Sequence, residues 1–270
     1  MERIRIVARA DDLGSSRSAN MAIDKVTRAG FIRNVSIMAP AQHVEHAAGL
    51  LAGRRDICFG MHTTLNAEWA GVKWGPVSPL GRSSGLVDEN GYFLANPATF
   101  RETKPAVEVI MKEVDAQLER LHSCGFNIKY VDSHMFPEMF IDGYDEAMAE
   151  FIRRKGLVDH MYYYVIPPGF KQLASDLSKL PQYLKSLPDG QYFFLSHPSL
   201  DTEEMRQAGN ASTTGAAVAK SRAKETEMLS NKALRTGMKL FSCGSVRYDE
   251  AKPLPVRLTV RDITALLSQI

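Results

Sequence analysis

The chain has 270 residues, 44% hydrophobic and 24% charged, with 33 basic and 31 acidic side chains and a formal net charge of +2. This composition is ordinary for a globular protein and long enough for one large α/β domain or two small ones. Near-balanced charge offers no basic field for a nucleic-acid backbone, and no apolar run reaches the length of a membrane span.

In chain order, IRIVARA (4–10) reads as a strand ended by the DDLG turn. SRSANMAIDKVTRAG follows as a helix, with Met21, Ile23, Val26 and Ala29 as its apolar stripe and Gly30 as its stop. VSIMA (35–39) is a second strand, HVEHAAGLLAG a helix and ICFGMH (57–62) a third strand. Residues 66–105, rich in Gly, Pro, Asn, Trp and Ser, break the rhythm as a long loop insertion over one end of the sheet. A long amphipathic helix resumes over 106–125. IKYVDSH is a fourth strand, YDEAMAEFIRRKG a helix, MYYYVI (161–166) a fifth strand, LASDLSKLPQYLKSL a broken helix and QYFFLSH (191–197) a sixth strand. A helix from about Ala216 to Gly237, a seventh strand in MKLFSCG and a short helix in LTVRDITALLSQI complete the pattern. The strand–helix alternation predicts a single domain over 1–270 built as a (β/α) barrel of TIM-barrel type, with seven strands rather than eight. An open doubly wound sheet is the alternative.

The start MERIRIVARADD carries no signal-peptide segment, so cytoplasmic residence is the expectation. Cys58, Cys124 and Cys243 are far apart and read as buried thiols.

Four strands end in polar residues: Asp11 and Asp12, His62, His134 and His197. In barrels and open parallel sheets alike, that end carries the active site. His43, His46, His122 and His160 do not share the placement and read as surface, capping or structural residues. On the first strand Ile4, Ile6, Ala8, Ala10 and Asp12 have one parity. If that set faces the barrel interior, Asp12 points inward and Asp11 joins it only where the chain turns.

Asp12, His62 and His134 supply one oxygen and two nitrogen donors, a set that accepts Zn, Co, Ni, Mn or Fe, and less naturally Mg. Water activated there is a nucleophile, Asp11 is a candidate general base, and His197 a candidate donor to a leaving group. The blander alternative is that the aspartates cap a helix and each histidine satisfies a carbonyl. Convergence of so many buried polar groups on one rim weighs against it. The first turn, ADDLGSS, lacks the GxGxxG of dinucleotide sites.

The motifs RADDLG (9–14) with Asn20, SIMAP (36–40), FGMHTTL (59–65), EVDAQLERL (113–121), VDSH (131–134) and LSHPS (195–199) resemble the YdjC/ChbG-like carbohydrate deacetylases, over most of the chain. The resemblance implies a distorted (β/α) barrel, a divalent metal on Asp12, His62 and His134, Asp11 as general base and His197 across the site. It also implies an N-acetylated sugar or oligosaccharide as substrate, and often a homodimer. The chain departs from the family pattern in four places. Phe136 replaces the second histidine of DSHxH, Leu13 replaces a phenylalanine and Arg9 replaces a leading asparagine. An arginine usual after the next helix has no counterpart in LVDHMYYYVIPPG.

Trp69, Trp74, Tyr92, Phe93 and the tyrosines of MYYYVIPP are candidates for stacking on sugar rings or for packing. Glu138 can bind a hydroxyl or pair at the rim, and Arg222 can reach inward or pair with an acid. The leading expectation is a metal-dependent deacetylase. The alternatives are a hydrolase of another amide or ester on the same scaffold, and a non-catalytic sugar-binding protein.

Overall fold

A computed structural model describes residues 2–169 and 177–268. Strands β1 (Ile4–Leu13), β2 (Asn34–Ile37), β3 (Cys58–Thr63), β4 (Ile128–Ser133), β5 (Val158–Asp159), β6 (Gly190–Ser196) and β7 (Cys243–Ser245) form one parallel sheet in the order β5-β4-β3-β2-β1-β6. β7 pairs with the first residues of β1, and β2 takes over that edge from Arg9 onward. Around the sheet lie α1 (Arg17–Ala29), α2 (Val44–Leu51), α3 (Phe100–Thr103), α4 (Val107–Ser123), α5 (Tyr144–Lys155), α6 (Leu180–Ser186), α7 (Gly215–Leu229), α8 (Lys232–Leu240) and α9 (Val260–Ser268). This is an open, curled sheet with flanking helices, a distorted (β/α) barrel.

The two faces of β1 show the curl. Ile4, Ile6, Ala8 and Ala10 pack outward with Ile23 and Val26 of α1, Leu229 of α7 and Leu234 of α8. Val7 lies in a second, inner cluster with Tyr130, Tyr163, Tyr164, Phe193 and Tyr248. Tyr130 of β4 meets Tyr248 with ring centroids 4.3 Å apart, and Tyr164 meets Phe193 of β6 at 4.6 Å. Three strands separate β4 from β6 in the sheet, so these contacts exist only because the sheet curls. The parity expectation is therefore reversed. The set containing Ala8 and Ala10 faces the helices, and the set containing Val7, Arg9 and Asp11 faces inward.

Local chemistry sets the element ends. Ser16 caps α1 by accepting from the Ala19 N–H, and Gly30 closes it at φ 89°. Met21, expected in the buried stripe, is 53% exposed, because it sits two residues before Ile23 on the opposite side of the helix. The expected strand at 161–166 is not one. β5 is the pair Val158–Asp159, after which Asp159 accepts from the Met161 N–H and winds residues 160–162 into a 3-10 turn. The helix expected from Ala216 to Gly237 is two helices, because Asn231 caps a new one through the Ala233 N–H. That second helix takes Met238, Lys239 and Leu240 from the expected seventh strand, which begins at Cys243. The broken-helix reading of 173–187 falls partly outside the described residues; within them it holds a 3-10 turn over Leu177–Lys179 followed by α6. Residues 66–105 contain only short turns, one helical turn and a single bridge between Val87 and Phe93. Among the described residues, no helix is long and apolar enough to cross a membrane.

Candidate metal centre

The rim of the sheet is built by backbone devices at the ends of β1, β3 and β4. β1 changes register between Ala10 and Leu13, and Asp12 there takes φ 67°. Aspartate tolerates this left-handed region better than most residues. The kink brings Asp12 to the same side as Asp11, which already faces inward by alternation. The turn is fastened by Asn20, whose Oδ1 accepts from the Gly14 N–H at 2.7 Å and whose Nδ2 donates to the His43 carbonyl at 2.9 Å. On β3 and β4, His62 is in register with Asp132. His134 follows β4 and donates its N–H to the Thr63 carbonyl at 3.0 Å. Met135 and Phe136 then turn the chain away, both with positive φ, 57° and 49°.

The result is a triangle of donor atoms. Asp12 Oδ1 lies 3.6 Å from His62 Nε2 and 3.6 Å from His134 Nδ1, and the two histidine nitrogens are 3.3 Å apart. Donors held at about 2.1 Å from one ion, at near-tetrahedral angles, stand about 3.4 Å apart. All three side chains are buried, and Asp12 Oδ1 has no hydrogen-bond partner. A buried carboxylate oxygen left unpaired between two imidazoles fits a cation better than it fits packing. The residues are positioned to coordinate a divalent metal ion.

Each donor is oriented from behind. Asp132 Oδ2 holds His62 Nδ1 at 3.1 Å, which turns Nε2 toward the triangle. Glu68 Oε2 holds His134 Nε2 at 2.9 Å, leaving Nδ1 to face inward. Arg222 of α7 binds Asp12 Oδ2 at 2.9 Å, leaving Oδ1 free. Such partners fix tautomer and ring orientation in metal sites. Asp11 is held by Arg9, with Nε to Oδ1 at 2.7 Å and Nη2 to Oδ2 at 2.8 Å, and its Oδ2 is 3.9 Å from His62 Nε2. Arg9 Nη1 also meets Asp132 Oδ2 at 2.8 Å.

The electrostatics agree with the geometry. Four carboxylates (Asp11, Asp12, Asp132 and Glu68) face two guanidiniums (Arg9 and Arg222), leaving two negative charges when the histidines are neutral. One divalent ion balances that. Burial would push the Asp12 carboxyl up, but Arg222, His197, His134 and His62 hold it below the usual carboxylate range. Burial opposes charge on His62, yet Asp132, Asp11 and Asp12 raise it to about 9. A field that draws a proton to a buried imidazole draws a metal cation as well.

His197 follows β6. Its N–H donates to Glu225 Oε2 at 2.7 Å, and its ring is within the field of Asp12, Arg222, Asp11 and His62. An open groove of about 1160 Å³ beside the centre is lined by His197, Arg222, Glu225 and Trp69. Burial raises Glu225 to about 7. The five residues picked from sequence thus share one rim. Arg222 reaches inward. Trp74 and Phe93 are buried in the core, Tyr92 is exposed, and Trp69 alone of the four loop aromatics lines the groove. Phe136 is half-buried and packs with His160 and Tyr164. His160 also directly follows a strand, contrary to expectation. It is buried, paired with the Tyr164 hydroxyl at 2.9 Å and pushed down to about 4 by burial.

Asp132 and Glu68 were not singled out from sequence, and Arg9 stood out only as a departure from the family motif. Asp132 was visible in VDSH, but only its register with His62 reveals its task. Arg9 shares Asp11's parity, a signal masked by the reversed assumption about which face is inside. Glu68 lies in an aperiodic loop and left no signal.

A parallel, curled sheet with an Asp-His-His centre on its rim defines a barrel with a metal-binding site. The family described as YdjC-like protein matches residues 5–239, and the chain belongs to that family. The chain is 26% identical over 219 residues to a carbohydrate deacetylase of Thermoanaerobacter pseudethanolicus, covering 74% of this chain and 83% of that protein. It is 30% identical over 161 residues to a carbohydrate deacetylase of Mus musculus, covering 57% of this chain and 49% of that protein. With the latter, the match spans about half of the relative's length. A crystal structure described as a putative cellobiose-phosphate cleavage protein from Enterococcus faecalis V583 has the same fold, with TM-score 0.68 at 17% identity, covering 91% of this chain and 97% of that one.

Proposed function

We propose that this chain is a metal-dependent deacetylase that removes the acetyl group from an N-acetylated sugar or oligosaccharide, with residues 1–270 acting as one catalytic domain and 66–105 as its insertion. The observation that carries the reading is the donor triangle with the unpaired Asp12 Oδ1 at its corner. Family membership and the deacetylase relatives support the choice of reaction.

Asp12 Oδ1, His62 Nε2 and His134 Nδ1 would hold the ion. A divalent ion in that place supplies a Lewis acid for an amide carbonyl and lowers the pKa of water. Asp11 takes the proton of the attacking water on a carboxylate oxygen, and Arg9 keeps that carboxylate fixed beside His62. His197 passes a proton to the leaving nitrogen. Burial holds its imidazole below the ordinary value, so it starts neutral and takes up a proton from solvent before giving that proton to the nitrogen. Trp69, under the Arg222 guanidinium at 5.8 Å, offers a ring face on the groove wall for a sugar.

The test is a substrate panel. Acetate release from N-acetylglucosamine oligomers, exceeding that from simple acetyl esters and non-sugar acetamides at equal concentration, is the expected result. Equal or greater release from the non-sugar compounds would favour a hydrolase of another amide or ester on the same scaffold.

A further inference from the structure

The β1–β6 ladder ends at Ala10 and Ser196, where β1 changes register to form the Asp12 turn. Ser196 closes the ladder by donating its hydroxyl to the Arg9 carbonyl at 2.9 Å. His197, the next residue, stands where strand pairing has stopped. Its half-buried backbone N–H goes instead to Glu225 Oε2 at 2.7 Å. A buried N–H left unpaired costs free energy comparable to a lost hydrogen bond, so this carboxylate fills the place of a strand carbonyl.

α7 holds the same segment at two further points. The Ser199 N–H donates to the Arg222 carbonyl at 3.4 Å, and the Thr226 hydroxyl donates to the Ser199 carbonyl at 2.9 Å. Arg222 and Glu225 are three residues apart on α7 and share one face of it. Arg222 binds Asp12 Oδ2 at 2.9 Å. One helix face therefore grips Asp12 with one side chain and the His197 backbone with the next.

We propose that Glu225 is a positioning residue for the deacetylation, whose hydrogen bond to the His197 backbone sets the imidazole against the leaving nitrogen. The rings of His62 and His134 are each held directly, by Asp132 and Glu68. Among the described residues, no side chain hydrogen-bonds the His197 ring, so its place depends on its backbone. Proton transfer requires hydrogen-bond reach, and a displacement of about 1 Å can cost about 100-fold in rate. The bond needs an oxygen rather than a charge. Burial raises Glu225 to about 7, and the protonated carboxyl still offers an accepting oxygen.

The inference rests on the reading that His197 protonates the leaving nitrogen. A double-mutant cycle on acetate release from N-acetylglucosamine oligomers tests it, with Zn2+-loaded proteins checked for folding by circular dichroism. E225A is expected to lower kcat about 100-fold with KM nearly unchanged. E225Q, whose amide oxygen accepts the same N–H, recovers most of that loss. H197A/E225A is no slower than H197A, because a group that acts through His197 has nothing left to position. E225D withdraws the acceptor by one methylene, is expected to behave as E225A does, and replaces it if E225A does not fold. Without metal, nuclear magnetic resonance is expected to show faster exchange of the His197 amide proton in E225A than in wild type or E225Q. A further loss in the double variant, a rise in KM alone, E225Q as slow as E225A, or unchanged amide exchange would each overturn the inference alone. H197A as active as wild type, or a wild type that releases no acetate, would overturn the reading of His197 and the inference with it.

Discussion

At the scale of single residues, the centre depends on groups that never touch the ion. Asp132 is completely buried and holds His62 in the tautomer that presents Nε2. D132N is expected to lower metal affinity about 10–100-fold in a calorimetric titration while the fold persists; unchanged affinity would mean that His62 is held by its backbone alone. Glu138, just past His134, is half-buried as a residue, with a carboxylate oxygen shut off from solvent. Burial raises it to about 7 from 4.5, although the Ser133 hydroxyl donates to it, and its Oε2 has no partner. Its folded value lies above its unfolded one, so the folded state keeps a proton that the unfolded chain releases. Stability from this group is therefore full below about 4.5 and is lost as pH rises through about 7. E138Q removes that dependence, and relative to wild type its unfolding free energy is expected to gain about 3 kcal/mol between pH 4.5 and pH 8. A constant difference across that range in urea unfolding would show that Glu138 titrates normally.

At the scale of elements, the site is held by narrow packing beneath it. Gly60 of β3 is in register with Tyr130 of β4, and a Cβ there would run into the Tyr130 ring. G60A is expected to cost about 1–3 kcal/mol in thermal unfolding, through overpacking of the inner cluster; an unchanged midpoint would mean the ring has room to move. Asn231 is the contrasting case. N231A removes the cap that starts α8 and is expected to cost about 1 kcal/mol, with metal affinity unchanged, because α8 supplies nothing to the centre. These elements also show where sequence is ambiguous. The helix between the Ser16 cap and Gly30 was legible to the residue. The run MYYYVI has the β-branched and aromatic content of a strand, but its conformation is decided by the Asp159 cap before it and by the two prolines after it. The break at Ser230–Asn231 is a local competition between helix propagation and a capping side chain, which periodicity does not register.

At the scale of the whole molecule, strand–helix alternation was enough to give a seven-stranded parallel sheet and to place Asp11, Asp12, His62, His134 and His197 on one rim. It was not enough to say which face of β1 is inside, because every residue of that strand except Arg5 is buried. Curling covers both faces, and burial on both faces erases the alternation that would tell them apart. Glu68 and Arg9 enter the centre through that curl and through a loop, so no local pattern announces them. The central claim is that the folded chain releases acetate from an N-acetylated sugar only with a divalent ion on the Asp12, His62 and His134 triangle. The most direct measurement is acetate release from chitooligosaccharides by chelator-stripped protein before and after one equivalent of Zn2+, Co2+ or Mn2+. No release before and restored release after, absent in H62A, is the expected result. Release that persists in the stripped protein, or none with any of these ions, would contradict it.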